Sequence, residues 1–496
     1  MSPLLNDILY YWNHTTFYYY VLVNCSYLVL TTVSFVVVRG YMRGSALHDS
    51  KLRFQFAGLF KPISILAPAH NEEVTVVENV RSLLNLNYPA FEVVLINDGS
   101  SDGTLEVLRQ TYGLEPAPYA PLGDLPTARV KQIYRSVRHP SLVVIDKENG
   151  GKADALNTGI NHARYPLFLA IDTDSLLERD ALMKMVQPFL ERPETLAVGG
   201  IVRAVNGCTV RDGEVVDVRL PRNHLAAMQI IEYLKVFLFG RVGWAAMNML
   251  VVISGAFGLF KRQAVLDAGG YSKTVGEDME LIVRLHRMAL EKKQHYHIGF
   301  VPDPVCWTEV PESLGVLSRQ RNRWSRGQTD TLRIHRKMLF NPAYGRIGMI
   351  ALPYALIVES LGAFVEIAGF IVLGVSIYLG QATTHFLIGF FAVSILFGGL
   401  ISLWALILEE LTFRRIPRLR SMLALFVYGI AESLGYHQLA VWWRVKGMID
   451  YFRGKSGWGH ITRTGFAGRP TTQKQAAGAG KATSAAPEKP TPGGEG

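Results

Sequence analysis

PLFLAIDTD, residues 166–174, decides how the rest of the chain is read: an apolar run of strand length stops abruptly in two carboxylates one residue apart. Side chains alternate along a strand, so Asp172 and Asp174 point one way and Thr173 the other. Two convergent carboxylates suit a hard divalent cation, Mg2+ or Mn2+. Taken alone, an Asp-x-Asp is more often a solvated turn capping the next helix, here one expected over 180–191. Its surroundings shift that balance.

Upstream, ISILAPAH (63–70) and FEVVLIND (91–98) read as strands, and a helical pattern follows each. The first helix is expected over 72–86 with Val74, Val77, Val80 and Leu84 on one face, the second over 102–112. Apolar strands alternating with helices predict an α/β sheet covered on both faces, whose ligand lies beyond the strands' carboxyl ends, where Asp98, Asp172 and Asp174 stand. The Pro/Gly-rich run 113–126 reads as a surface insertion, and 129–146 as one or two strands. In ENGGKADALNTGI (148–160), two glycines and Lys152 open a helix whose apolar face includes Ala153, Leu156 and Ile160. A helix N-terminus with a lysine suits phosphate, although this is not a Walker loop.

Further on, a strand is expected near 196–205. Residues 225–252 are long and apolar, but Glu232, Lys235 and Arg241 interrupt them, which predicts a packed helix and not a span. SGAFGLFKR (254–262) is rich in small residues, allowing either close approach of backbone to a ligand or tight packing. GEDMELIVRL (276–285) sets Glu277 and Asp278 at a helix start, where the dipole alone favours acids. ESLGVLSRQRNRW (312–324) reads as a helix with Gln320, Arg323 and Trp324 on one face, and Arg319, Arg321, Arg326, Arg333, Arg336 and Lys337 make it basic and interfacial.

Nearly half of the 496 residues are apolar, and several stretches lack charge for the thickness of a bilayer. The first, 17–38, has an aromatic cluster at one end and Arg39, Arg43, Lys51 and Arg53 beyond the other, which predicts an uncleaved anchor with the following chain in the cytoplasm. Spans are expected over 358–380 and 386–408, with Arg414, Arg415, Arg418 and Arg420 returning the chain to the cytoplasm. The stretch 421–443 is either a further span or re-entrant, because basic residues follow it as well and Glu432, His437 and Gln438 lie inside it. Domain boundaries follow: an anchor over 1–54, a cytoplasmic domain over 55–345, a membrane region over 346–463 and a disordered tail over 464–496. Three scattered cysteines imply neither disulfides nor a zinc site. The formal charge of +10 lies mostly beside apolar segments, which points to a lipid bilayer and not to nucleic acid.

Taken in order, NDGS with Asp98, GGKADALN with Lys152, DTD with Asp172 and Asp174, GED with Asp278, and QRNRW with Gln320, Arg323 and Trp324 resemble the processive family-2 glycosyltransferases, membrane-embedded polysaccharide synthases. HNEE (70–73), SGAFGLFKR and WTEVPESL make the poly-β-1,6-N-acetylglucosamine synthases the nearest in appearance; cellulose, hyaluronan and chitin-like synthases are also similar. The resemblance covers roughly 62–344 and implies a GT-A, Rossmann-like nucleotide-sugar-binding domain flanked by transmembrane helices, a multi-pass protein of the plasma (inner) membrane with its catalytic domain cytoplasmic. By similarity, Asp98 and Asp172 hold the uridine and ribose, Lys152 the diphosphate, Asp174 a Mg2+ or Mn2+ ion, and Asp278 is the general base; Gln320, Arg323 and Trp324 bind substrate. The implied partners are a UDP-sugar, foremost UDP-N-acetylglucosamine, a growing glycan, and subunits of an export or modification machinery. Two departures are Gly276, where the family usually has Thr, and His70, where it usually has an aromatic residue. Competing readings are transfer of a single sugar to a lipid and a non-enzymatic membrane scaffold.

Overall fold

Buried strands alternate between two apolar surfaces, and here they do so cleanly. Ile63, Ile65, Ala67, Val93, Leu95, Leu142, Val144, Leu167 and Leu169 face one core, while Leu66, Val94, Ile96, Val143, Ile145, Phe168 and Ala170 face another. The structure is a computed structural model and describes residues 3–55, 60–118, 120–413 and 419–455, without side chains for 44–55, 304, 411 and 419. Its strands are β1 (Ile63–Ala69), β2 (Phe91–Asp98), β3 (Leu114–Pro116), β4 (Val130–Ser136), β5 (Leu142–Lys147), β6 (Leu167–Ile171), β7 (Ser175–Leu177), β8 (Thr195–Ala204), β9 (Thr209–Arg211), β10 (Glu214–Asp217), β11 (Phe257–Lys261) and β12 (His297–Thr308). Ten of them form one sheet in the order β3-β4-β5-β2-β1-β6-β11-β8-β12-β7, and β9 pairs with β10 alone. The four neighbours β5, β2, β1 and β6 run parallel, so their carboxyl ends meet along one edge. The α/β architecture expected of a GT-A domain is present.

Several local expectations change. The helix after β1 is Val76–Leu84 and begins later than 72, because Asn71 adopts a left-handed φ of 58° and Thr75 Oγ1 bonds Glu72 in a turn; Val74 is therefore exposed. The run 113–126 is no loose insertion: β3 joins the sheet edge, Leu125 is buried, and the Leu122 and Gly123 amides donate to the Asn161 carbonyl. After Asp174 the chain forms β7 before any helix, and the helix splits into Ala181–Met185 and Gln187–Glu191. SGAFG leads into β11, between β6 and β8. Residues 224–246 are helical, with a π-helical turn at Lys235–Arg241, and Ser34 Oγ donates to the Phe239 carbonyl to tie that turn to the N-terminal helix Pro3–Gln55.

Among the described residues three helices are long and apolar enough to cross a membrane: Pro3–Arg43, Ile347–Tyr378 and Thr384–Glu410. The second starts earlier than the expected 358, and the acids inside it find partners. Glu359 accepts from Gln328 Nε2 at 2.6 Å, and Glu366 from His437 at 2.8 Å and from the Tyr19 and Tyr20 hydroxyls at 3.3 Å. Gly362 and Gly369 let the first helix approach: a Cβ would stand 2.1 Å from the Tyr19 hydroxyl oxygen at Gly362 and 2.3 Å from Thr16 Cγ2 at Gly369. The stretch 421–443 is not one continuous helix. Leu419–Ala431 and His437–Phe452 are separated by non-helical Leu434 and by Gly435 at φ 108°, the break that the re-entrant alternative requires. The second piece then lies against the QRNRW helix, Leu314–Ile334, where Ser325 Oγ donates to the Arg444 carbonyl (2.7 Å) and Asn322 to Asp450 (2.8 Å). The expected tail, 464–496, and Arg414, Arg415 and Arg418 lie outside the described residues.

Candidate active site

The parallel strands deliver their last residues to one edge: His70 follows β1, Asp98 ends β2, Lys147 ends β5 and Asp172 follows β6. Lys147 is fully buried between two carboxylates, 2.6 Å from Asp98 and 2.8 Å from Asp154. A buried cation of this kind is tolerated only when paired and hydrogen-bonded. Burial raises the pKa of Asp154, but Lys147, the Ala128 amide and Lys273 outweigh it and hold the carboxyl below its usual range. Asp98 also accepts from the Gly150 (3.0 Å) and Gly151 (2.8 Å) amides. Both its oxygens thus fasten the GGK loop, and Gly151 at φ 85° turns the chain into the helix Lys152–His162. In this structure Asp98 holds the two glycines that precede Lys152. Lys147 and Asp154 were not singled out from the sequence, although a lysine ending the apolar strand LVVIDK was a usable signal.

Lys152 Nζ lies 2.5 Å from Asp172, 3.8 Å from Glu277 and 3.3 Å from the Gly255 carbonyl. Burial works against its charge, yet Asp172, Glu277 and Asp278 more than compensate and raise its pKa above the ordinary lysine value. Gly255 is the hinge of this cluster, since its amide donates to Asp278 Oδ2 at 3.1 Å while its carbonyl faces Lys152. Asp278 Oδ1 is fixed by the Met279 amide (2.8 Å). Glu277 is buried, and burial pushes its pKa to about 7, with Lys152 pulling down and Asp278 pushing up. Burial and then Asp172 likewise raise Asp174 to about 7, against Lys152 and a hydrogen bond from Ser175. The expected residues Lys152, Asp172, Asp174 and Asp278 therefore share one electrostatic site with Glu277.

The QRNRW helix reaches this cluster through two glycines. A Cβ on Gly276 would stand 2.7 Å from Gly327 Cα, and one on Gly327 would stand 2.7 Å from Gly276 Cα. That close approach explains why this chain has glycine before Glu277 where a threonine is usual. It also yields a prediction. Gly→Ala in a helix ordinarily stabilises by about 1 kcal/mol, but backbone overlap costs about 1–3 kcal/mol. Gly327→Ala should therefore lower the melting temperature and not raise it.

Arg323 lies within electrostatic reach of Glu277. Trp324 is 44 % exposed, and the Arg321 guanidinium stands 4.2 Å over its ring, itself held by Glu232 at 2.7 Å. Gln320 Oε1 is buried without a hydrogen-bond partner. Phe257, in the SGAFGLFKR stretch, is fully buried in the sheet and offers no face to an acceptor. Arg241, read only as an interruption of an apolar run, stands 4.1 Å over Phe237 with Nε and Nη1 unpartnered; burial lowers its pKa to about 10, against Asp278 and Tyr233.

Among the described residues no cluster of three or more His, Cys, Asp or Glu encloses a metal position. The donor set Asp172 and Asp174 nevertheless fits Mg2+ or Mn2+ of the kind that takes one or two carboxylates from protein and the rest of its shell from water and substrate phosphates.

Residues 64–116 match the family described as glycosyl transferase family 2, and residues 127–327 match glycosyltransferase like family 2. This region is a family-2 glycosyltransferase domain. Among curated proteins the chain is similar to poly-beta-1,6-N-acetyl-D-glucosamine synthase of Staphylococcus epidermidis, 31 % identical over 272 residues (54 % of this chain, 55 % of the relative). The protein of the same name from Staphylococcus aureus strain COL is 30 % identical over the same shares. The chain spans about half the length of the curated relatives it matches. Solved structures that resemble it include mannosyltransferase PcManGT of Pyrobaculum calidifontis in complex with GDP-Man and Mn2+ (17 % identity, TM-score 0.46, 82 % of this chain and 99 % of that one). Another is S. aureus TarS 1-349 in complex with UDP-GlcNAc (12 % identity, TM-score 0.37, 79 % and 92 %).

Proposed function

We propose that the protein transfers sugar, with inversion, from a UDP-sugar to the end of a growing β-glycan and passes the product into its membrane region, with UDP-N-acetylglucosamine as the donor. The observation that carries this reading is the meeting of Lys152, Asp172, Asp174, Glu277 and Asp278 around the Gly255 backbone at the carboxyl edge of the sheet. Asp278 takes the proton from the attacking hydroxyl, and Lys152 and Arg323 meet the charge left on UDP. A divalent ion held by Asp174 would neutralise the diphosphate. Asp172, released from Lys152 as phosphate arrives, is free to accept from the ribose.

Passage into the membrane region is supported by a line of polar and aromatic groups leading away from Trp324. Arg321 binds Glu232, which accepts from Tyr436 (2.7 Å); His437 follows and binds Glu366, which also accepts from Tyr19 and Tyr20. Carbohydrate needs such groups along its route, and ionisable residues in apolar helices mark pathways. We infer the domain plan from the same features: an N-terminal anchor, a cytoplasmic catalytic domain and a C-terminal membrane region in the plasma membrane.

Incubating membranes with individual radiolabelled UDP-sugars tests the reading: label in high-molecular-weight polymer is the expected result, and label confined to a single-sugar glycolipid overturns polymerisation. Two variants separate the roles of neighbouring residues. Trp324→Ala removes stacking area but no charge, so hydrolysis of UDP-sugar should survive while elongation is lost. Arg323→Ala removes a cation from the leaving diphosphate and should lose both. Normal polymer from Trp324→Ala would confine that indole to packing under Arg321.

A further inference from the structure

Away from the catalytic edge, a cavity of about 580 Å³ opens where three separate segments meet: Arg287 from the helix Glu277–Glu291, Asp330 to Lys337 at the end of the QRNRW helix, and Tyr451 near the end of the chain's last described helix. Four cations line it, Arg287, Arg333, Arg336 and Lys337, against one carboxylate, Asp330. That carboxylate is engaged, accepting from the Tyr451 hydroxyl at 2.8 Å, and Arg333 Nη1 donates to the same hydroxyl at 3.5 Å. Among the described residues Arg287 Nε has no hydrogen bond; it lies 3.9 Å from Glu291, which also accepts from Tyr344, and Nη1 stands 3.4 Å from His335 Nδ1. The side chains of Arg336 and Lys337 have no ion-pair or hydrogen-bond partner among the described residues.

The plain account is that cations gather at a helix C-terminus because the dipole favours them there. It covers Arg333, Arg336 and Lys337. It does not cover Arg287, which comes from another helix, or Tyr451, which comes from a third segment. Four like charges facing one cavity repel one another, and an anion that bridges them relieves that repulsion. Guanidinium groups from two directions suit the bidentate geometry of phosphate oxygens. The surroundings identify the source of the phosphate. Ile334 lines the cavity, Phe340 (55 % exposed) and Phe452 (73 % exposed) stand close in sequence to its lining residues, and the apolar helix Ile347–Tyr378 begins ten residues after Lys337. Apolar side chains flanking a cationic pocket match a phospholipid, acyl chains outside and headgroup within.

We propose that this cavity is a phosphate-binding site whose occupant is the headgroup of an anionic phospholipid, gripped by Arg287, Arg333, Arg336 and Lys337. The bound lipid fastens the far end of the same helix that presents Arg323 and Trp324 to the catalytic domain, so occupancy steadies the QRNRW helix at the bilayer surface.

The test uses the full chain in detergent and follows its melting temperature on addition of phosphatidylglycerol, of phosphatidylcholine, or of sodium pyrophosphate. Phosphatidylglycerol should raise the midpoint by about 2 °C or more, as any ligand that binds only the folded state does, and phosphatidylcholine should not. The Arg336→Ala/Lys337→Ala double variant alters two exposed side chains, so it should fold and lose the shift. The charge-matched Lys292→Ala/Lys293→Ala control should keep it. A shift with pyrophosphate but not with phosphatidylglycerol, lost in the same variant, keeps the phosphate site and replaces its occupant by a soluble anion. No shift with either ligand, or an equal shift in the Arg336/Lys337 variant, overturns the proposal.

Discussion

Replacing Asp278 by Asn should lower sugar transfer by ~10² to 10⁴, the range for loss of a general base, while leaving UDP-sugar binding within about twofold of wild type. The amide keeps the shape of the carboxylate, and with its one oxygen turned to Gly255 it still accepts from that amide, so the loop whose carbonyl meets Lys152 stays tied while the bond from the Met279 amide is given up. What disappears is the ability to take a proton. Among the described residues Glu277 is the acid next to Asp278 that could substitute, and its pKa, raised by burial to about 7, suits a general base. Against it stands the Lys152 ammonium, 3.8 Å away. Measuring turnover and UDP affinity together in Asp278→Asn and in Glu277→Gln separates the two. Near-normal turnover in Asp278→Asn, with a large loss in Glu277→Gln, would move the base to Glu277.

The strands were legible because burial on both faces writes itself as an apolar run; their acids became legible only beside the other motifs, since an Asp-x-Asp alone is more often a turn. β1 and β2 appear where the sequence places them, whereas β6 ends at Ile171, and Asp172 to Asp174 form a turn closed by the Ser175 amide on the Asp172 carbonyl and not the alternating strand end expected. Contacts between distant segments leave no local pattern. Nothing near Gly276 announces that Gly327 will lie against it, and nothing near Lys147 says that Asp98 and Asp154 will both bind it. Val74 was misjudged for a related reason: a helical face drawn from periodicity assumes the helix has begun, and the turn around Asn71 delays it. The partners of the acids in the second apolar helix, Gln328 and His437, lie far away in sequence and leave no local sign. For residues 421–443 composition left a further span and a re-entrant segment open, and what it did not show is the backbone break at Leu434 and Gly435.

Removing the second carboxylate of the DTD motif should be as damaging as removing the base, but through binding. Asp174→Asn should abolish metal-dependent UDP binding and with it turnover, because a diphosphate brought against two carboxylates needs a cation between them. The proton competes with that cation. Burial and Asp172 raise Asp174 to about 7, so below that pH the carboxyl carries a proton that the metal must displace. The apparent affinity for Mn2+ in the presence of UDP should then weaken about tenfold per pH unit below about 7. Stability without metal moves in the opposite sense. An acid whose folded pKa lies above its unfolded value stabilises the fold when protonated, and that contribution is complete below the unfolded pKa and lost as pH rises through about 7. In chelator at pH 8 the wild type carries this buried charge at a cost, whereas Asp174→Asn has no charge to bury. The inactive variant should therefore melt higher than wild type in chelator, and the order should reverse when Mn2+ and UDP are added, since only the wild type gains ligand stabilisation. Four melting curves decide the matter: an Asn variant that still gains stability from Mn2+ and UDP would place the metal on Asp172 and leave Asp174 a bystander.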